Sequence, residues 1–172
     1  MVSNPTHGRL LLKSPVHTAR VNLFHAMFPK ATFIFIHRHP YEVFQSAVHM
    51  ADAYYWQCYF QLPTAEDVEE FILFQGETLH RAYTEDIRFV PQSQRTEVRF
   101  EDLSADPMAT LSTLYAALGW GDEFARVRPA VEAYRDSLKD FKMNQHVCLK
   151  PEAKEVVKRR WREWFTDLRY DM

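Results

Sequence analysis

Cysteine and glycine are both scarce, with two and four residues respectively. Cys58 and Cys148 stand far apart and outside any Cys-x-x-Cys spacing, which excludes a disulfide scaffold and a redox dithiol and assigns both to buried thiols in a reducing compartment. No Gly-x-x-x-x-Gly-Lys-Ser/Thr loop occurs, which counts against an ordinary P-loop kinase relative. No apolar run approaches the ~20 residues that span a bilayer. Met1 to Arg9 is polar and carries Pro5, unlike a signal peptide. A cytoplasmic protein without a membrane partner is therefore expected. Excess charge is also missing: the net charge is −2 and the pI about 6.4. That excludes a global attraction to nucleic acid, so any anion site must be built from a few placed basic groups. The one basic run, Lys158-Arg159-Arg160 with Arg162, alternates with Trp161, Trp164 and Phe165 and reads as the solvated face of an amphipathic helix.

Aromatics, by contrast, make up 15% of the chain. Many aromatics and few glycines predict long helices around a packed interior, and the length suits one domain over residues 1–172. Leu10-Leu11-Leu12 followed by Ser14-Pro15 predicts a buried strand, an N-cap and a proline at the first helical position. Val16, Ala19, Leu23, Phe24 and Met27 then fall at helical spacing until Pro29. The pattern repeats: Thr32 to Ile36 predicts a second buried strand and Pro40 opens a second helix, with His39 pushed toward extended geometry by the proline after it. Strand, helix, strand, helix is the signature of a parallel α/β unit. Further on, the sequence predicts a helix from Ala65 to about Arg88 and a strand over Thr96 to Phe100. A helix from Asp106-Pro107 to Leu118 with Gly119 at C′ follows, then one from about Asp122 to Tyr134 and a last one from Pro151 to about Phe165.

In an open parallel sheet, ligands bind beyond the carboxyl ends of the strands. Two such ends are readable, and both carry basic side chains: Lys13-Ser14-Pro15-Val16-His17 and Arg38-His39-Pro40. Helix N-terminal N–H groups at each corner favour anions. Arg38 has the planar fork for a bidentate grip on phosphate, and Ser46, in the second turn of the helix that follows, has a hydroxyl to donate to the same group.

The stretch Arg38-His39-Pro40-Tyr41-Glu42-Val43-Phe44-Gln45-Ser46 resembles the 3′-phosphate-binding segment of sulfotransferases that use 3′-phosphoadenosine-5′-phosphosulfate (PAPS), a strand followed by Arg-x-Pro-x-x-Val-x-x-Ser. Leu11 to His17 is similar to the strand-to-helix segment of the bacterial branch, and Val98-Arg99-Phe100-Glu101-Asp102-Leu103 with Asp106-Pro107 is similar to its Tyr-Glu-Asp-Leu strand. The resemblance runs in order from Arg9 to Gly119. It implies a P-loop-NTPase-like three-layer α/β fold, a short parallel sheet flanked by helices, with PAPS as cosubstrate and no metal. Arg38 and Ser46 would bind the 3′-phosphate and Phe100 the adenine; His17 would be the general base and Lys13 would steady the transferring sulfuryl group. The acceptor would be a small molecule or a glycan with a hydroxyl or amine.

Three departures from the family pattern qualify these expectations. Ser3 to Gly8 is too short for the strand, loop and helix that cradle the 5′-phosphosulfate, so the chain is expected to be N-terminally truncated, with an incomplete sheet prone to self-association. Phe100 stands where many members have Tyr. The C-terminal Arg-Lys-Gly of many cytosolic members is absent. Each candidate also has a plainer use. His17 could cap backbone, Lys13 could sit in solvent, Arg38 could pair with Glu42, Ser46 could be a tolerated small residue, and Phe100 could be core. His37 and His39 have the alternation of a zinc pair but lack a third ligand nearby. The aromatics of Ala53 to Gln61 are assigned to core packing, with an apolar acceptor as their other use. A non-catalytic nucleotide-binding or interaction module is the alternative to an active transferase.

Overall fold

The computed structural model describes residues 10–141 and 149–172, so Cys148 and the Ser3 to Gly8 segment lie outside the described residues. Its one ladder is parallel: β1 (Phe33–His37) pairs with β2 (Arg95–Arg99) in a register that sets Phe33 against Arg95 and His37 against Arg99. Around it stand α1 (Val21–Met27), α2 (Pro40–Tyr54), α3 (Ala65–Asp86), α4 (Phe100–Ala105), α5 (Pro107–Ala117), α6 (Gly121–Ser137), α7 (Pro151–Arg160) and α8 (Arg162–Asp167). The described chain is α/β, mostly helical, with a short two-stranded parallel sheet.

Side-chain alternation gives the sheet two unlike faces. Phe33, Phe35 and His37 face inward: Phe35 stacks on Tyr83 of α3 at 3.9 Å between ring centroids, and His37 is buried against Tyr170. Ile34 and Ile36 face the other way and stay 39% and 55% exposed. The main core lies on the inward side, where Phe44 and Ala51 of α2, Ile72 and Leu73 of α3, Val157, Trp161 and Phe165 come together. Each fully buried large side chain there contributes roughly 1.5–3 kcal/mol.

Local chemistry explains several helix ends. Thr64 and Asp67 form a reciprocal capping box at the start of α3. Gly119, with φ 69°, closes α5 as predicted, and Trp120 N–H returns to the Tyr115 carbonyl. α8 ends in the same way through a non-glycine: Arg169 takes φ 56° and Tyr170 N–H donates to the Phe165 carbonyl, which turns Tyr170 back under the sheet.

Several sequence expectations need correction. Leu10 to Leu12 is not a strand: the segment is irregular and its leucines are 69%, 84% and 50% exposed. Three apolar residues form a strand only with neighbours to pair with, and the partner of β1 is β2 instead. The helix expected over Val16 to Phe28 splits at Ala19 into a 3-10 turn, Pro15–Arg20, and α1. Phe100 opens α4 rather than closing the strand. The last helix breaks at Trp161, whose indole N–H donates to the Leu73 carbonyl at 2.9 Å and whose ring fills the space above Gly76. Cys58 is an exposed thiol, not a buried one.

Candidate functional site

The β1 carboxyl end runs directly into α2. His39 is extended (φ −50°, ψ 128°), as the following proline demands, and its ring Nδ1 accepts the Tyr41 N–H at 3.3 Å, capping the helix that Pro40 opens. Arg38 projects from this corner. Its guanidinium lies over the Phe100 ring, 4.9 Å from the centroid, and one amino group donates to Glu42 Oε2 at 2.9 Å. The expected nucleotide ligands Arg38 and Phe100 are thus in contact, because the parallel register sets the ends of β1 and β2 side by side. The Glu42 pair foreseen as the plainer use of Arg38 is also present, on partly exposed side chains where such pairs are weak. It occupies one of five N–H donors, and the rest of the fork has no partner among the described residues. Ser46 is exposed in the second turn of α2, with no hydrogen bond to Arg38.

The other corner is built differently. Lys13 is exposed and follows the irregular leucines. Ser14 holds the N-cap position before Pro15, but its side chain caps nothing. His17 meets Phe24 edge to face at 4.8 Å, and its Nδ1 is buried without a hydrogen-bond partner among the described residues. It sits in a kinked 3-10 turn rather than the first turn of a long helix, so little dipole acts on it. Among the described residues no hydrogen bond, ion pair or ring contact joins Lys13 or His17 to Arg38, Ser46 or Phe100.

Behind the Arg38 corner lies a polar chain that sequence reasoning did not single out. His39 N–H donates to Glu101 Oε1 at 2.8 Å, and the Tyr170 hydroxyl donates to Glu101 Oε2 at 3.1 Å. His37 Nδ1 is 2.8 Å from the same hydroxyl. Since that hydroxyl spends its proton on Glu101, the His37 tautomer with hydrogen on Nδ1 is assigned as the donor to Tyr170. Burial pushes the Glu101 carboxyl up, but the His39 N–H, its own N–H, the Tyr170 hydroxyl and Arg99 together hold it below the usual carboxylate range. Burial, helped by Arg99 and opposed by Glu97, Glu101 and Asp102, holds His37 below the ordinary histidine value. Glu101 was visible only as part of the Glu-Asp-Leu block. Tyr170 carried no local signal.

His37 and His39 spend their Nδ1 atoms on Tyr170 and Tyr41 N–H, and among the described residues no three His, Cys, Asp or Glu side chains gather to hold a metal. A cavity of about 360 Å³ lies between Tyr83, Glu97 and Asp167, and one of about 310 Å³ lies between β2 and α5, where His37, Arg99 and Asp102 line it on the side of the polar chain. Arg38 and Phe100 line neither of these two cavities. The aromatics assigned to the core between α2 and α3 are largely outside it: Tyr54, Trp56 and Phe60 are exposed. No helix among the described residues is long and apolar enough to cross a membrane.

Comparison with known proteins bears on this corner. Residues 1–124 match the sulfotransferase family, a span that holds both corners, Phe100 and Glu101. The omega-hydroxy-beta-dihydromenaquinone-9 sulfotransferases of Mycobacterium bovis and Mycobacterium tuberculosis are each 33% identical over 162 residues, covering 94% of this chain. The chain spans 41% of the length of these curated relatives. No solved structure matches significantly. With more than half of the chain matching the family, and with Arg38, Phe100 and the start of α2 inside the matched span, the chain belongs to the sulfotransferase family.

Proposed function

We propose that this chain carries the 3′-phosphate half of a PAPS site in a sulfuryl transferase. One observation carries the reading: Arg38, at the carboxyl end of β1 and the start of α2, lies on Phe100 and commits one N–H to Glu42, with the rest of its fork unpartnered among the described residues. That arrangement suits a ribose phosphate beside a base. Arg38 and Ser46 bind the 3′-phosphate and Phe100 meets the adenine. In the transfer, an acceptor oxygen attacks sulfur, the bond from sulfur to the 5′-phosphate oxygen breaks, and adenosine 3′,5′-bisphosphate leaves. His17 takes the acceptor proton and Lys13 offsets charge on the transferring group. The protein's part is positioning and electrostatics, as in phosphoryl transfer.

The acceptor we infer is a small apolar molecule bearing a hydroxyl. Two things support it: the name of the mycobacterial relatives, which specifies a hydroxylated menaquinone, and the exposed Tyr54, Trp56 and Phe60 after α2. The fold is one domain of the P-loop-NTPase-like three-layer type, and Ile34 and Ile36 mark the face another layer would cover. A second copy meeting that face is the self-association this reading expects of the chain as given. The exposed Cys58 thiol suits a cytoplasmic, reducing setting.

One observation favours a nucleotide-binding module without turnover: the Lys13 to His17 corner is not a strand end. A sulfuryl-transfer assay with PAPS and an isoprenoid alcohol separates the two. Turnover that falls at least about a hundredfold in His17→Ala supports the transferase with His17 as base. Nucleotide binding without turnover selects the module.

A further inference from the structure

Arg38 stands between two histidines, and both are tied to one carboxylate. His39 reaches Glu101 directly through its backbone N–H (2.8 Å), and His37 reaches it through the Tyr170 hydroxyl (2.8 and 3.1 Å). The backbone after the arginine and the side chain of the residue before it are therefore tied to a single group beside the neighbouring strand end. The residue just before that group, Phe100, lies under the guanidinium. Two consecutive residues at the start of α4 thus hold Arg38 from both sides: Phe100 under the side chain, Glu101 on the main chain.

The surroundings make this clamp stiff. Tyr170 lies under Arg99, 4.5 Å from guanidinium carbon to ring centroid, and the His39 ring packs against Tyr170 and the fully buried Phe165. The left-handed turn at Arg169 aims Tyr170 into this position. Charge-assisted hydrogen bonds are about twice as strong as neutral ones, and donors in series reinforce one another. A hydrogen-bonded residue in the supporting layer of a site acts by holding the contacting group in place.

We propose that Glu101 is a positioning residue for Arg38, and that Tyr170, well beyond the matched residues 1–124, completes the clamp. This rests on the proposed role of Arg38 at the 3′-phosphate. Glu101 touches no ligand; it holds the corner so that the guanidinium fork meets the phosphate without first being ordered.

The test compares adenosine 3′,5′-bisphosphate with adenosine 5′-monophosphate by calorimetry on the whole chain. Glu101→Ala is expected to weaken the bisphosphate roughly tenfold and leave the monophosphate unchanged, since only the first uses Arg38. Glu101→Gln, whose amide oxygen still accepts the His39 N–H, recovers most of the loss. Tyr170→Phe loses about threefold, and Glu101→Ala adds nothing in an Arg38→Ala background. Equal losses for both nucleotides, or a loss that persists without Arg38, overturn the proposal. If the parent chain does not prefer the bisphosphate, the nucleotide reading has failed, and the clamp is decided without ligand. Nitrogen relaxation at Arg38 Nε and hydrogen exchange at the His39 amide should then both rise in Glu101→Ala. Unchanged values reject it.

Discussion

The Arg38 corner and the Lys13 corner begin from similar sequence, an apolar run and then a proline-led turn, yet only one is built. At Arg38, β1 has a partner strand, a capped helix and a carboxylate that ties the turn to the C-terminal end of the chain. At Lys13, exposed leucines lead into a kinked turn whose cap side chain makes no bond. The difference lies in tertiary partners. A corner that presents a basic group to an anion needs a paired strand behind it and a backbone tied to distant elements; the second corner has no paired strand among the described residues, and its turn is closed by the local bond from His17 N–H to the Ser14 carbonyl.

Core substitutions should sharpen this contrast most. Phe165 is fully buried and its ring packs against His39 and Tyr41, so Phe165→Ala is expected to cost about 3–5 kcal/mol in urea unfolding. Leu11→Ala, on an exposed leucine, should stay within about 0.5 kcal/mol. Comparable losses at both positions would mean that the leucine corner is packed after all.

The bare face of β1 comes next. Ile34 and Ile36 are exposed on a strand whose second edge is unpaired among the described residues, a surface that favours pairing with another chain. Sedimentation velocity should show association that rises with concentration, weakened at least about tenfold by Ile36→Lys. A monomer at every concentration contradicts it.

A smaller effect comes from pH. Burial holds His37 below the ordinary value of 6.5, so the unfolded chain takes up this proton at higher pH than the folded one. Stability from this site is complete above about 6.5 and falls as pH drops below it. Glu101, shifted down, acts in a different window: its contribution is present above the ordinary carboxylate value and is lost only as pH falls through its lowered one. The melting temperature should therefore decline by a few degrees between pH 7 and about 5.5, and His37→Gln should flatten the decline. An identical slope in the variant removes His37 as its source.

How much could be read from the sequence follows the same division. Arg38-His39-Pro40 was legible because each signal is local: a β-branched and aromatic strand, a pre-proline residue forced extended, a proline at the first helical turn. Gly119 and the start of α3 were legible for the same reason. Leu10 to Leu12 misled because an apolar triplet looks the same whether or not a neighbouring strand exists. The Trp161 break was hidden because it depends on Gly76 in α3, where any side chain would collide with the indole. The clamp was hidden because Glu101 and Tyr170 meet only after the chain has folded through four more helices.

Calorimetric titration with adenosine 3′,5′-bisphosphate, parent against Arg38→Ala, tests the central assignment most directly. A fall in affinity on the order of a hundredfold is expected from removing a guanidinium that grips a phosphate. Equal affinity in the two proteins would contradict the placement of the 3′-phosphate at this corner.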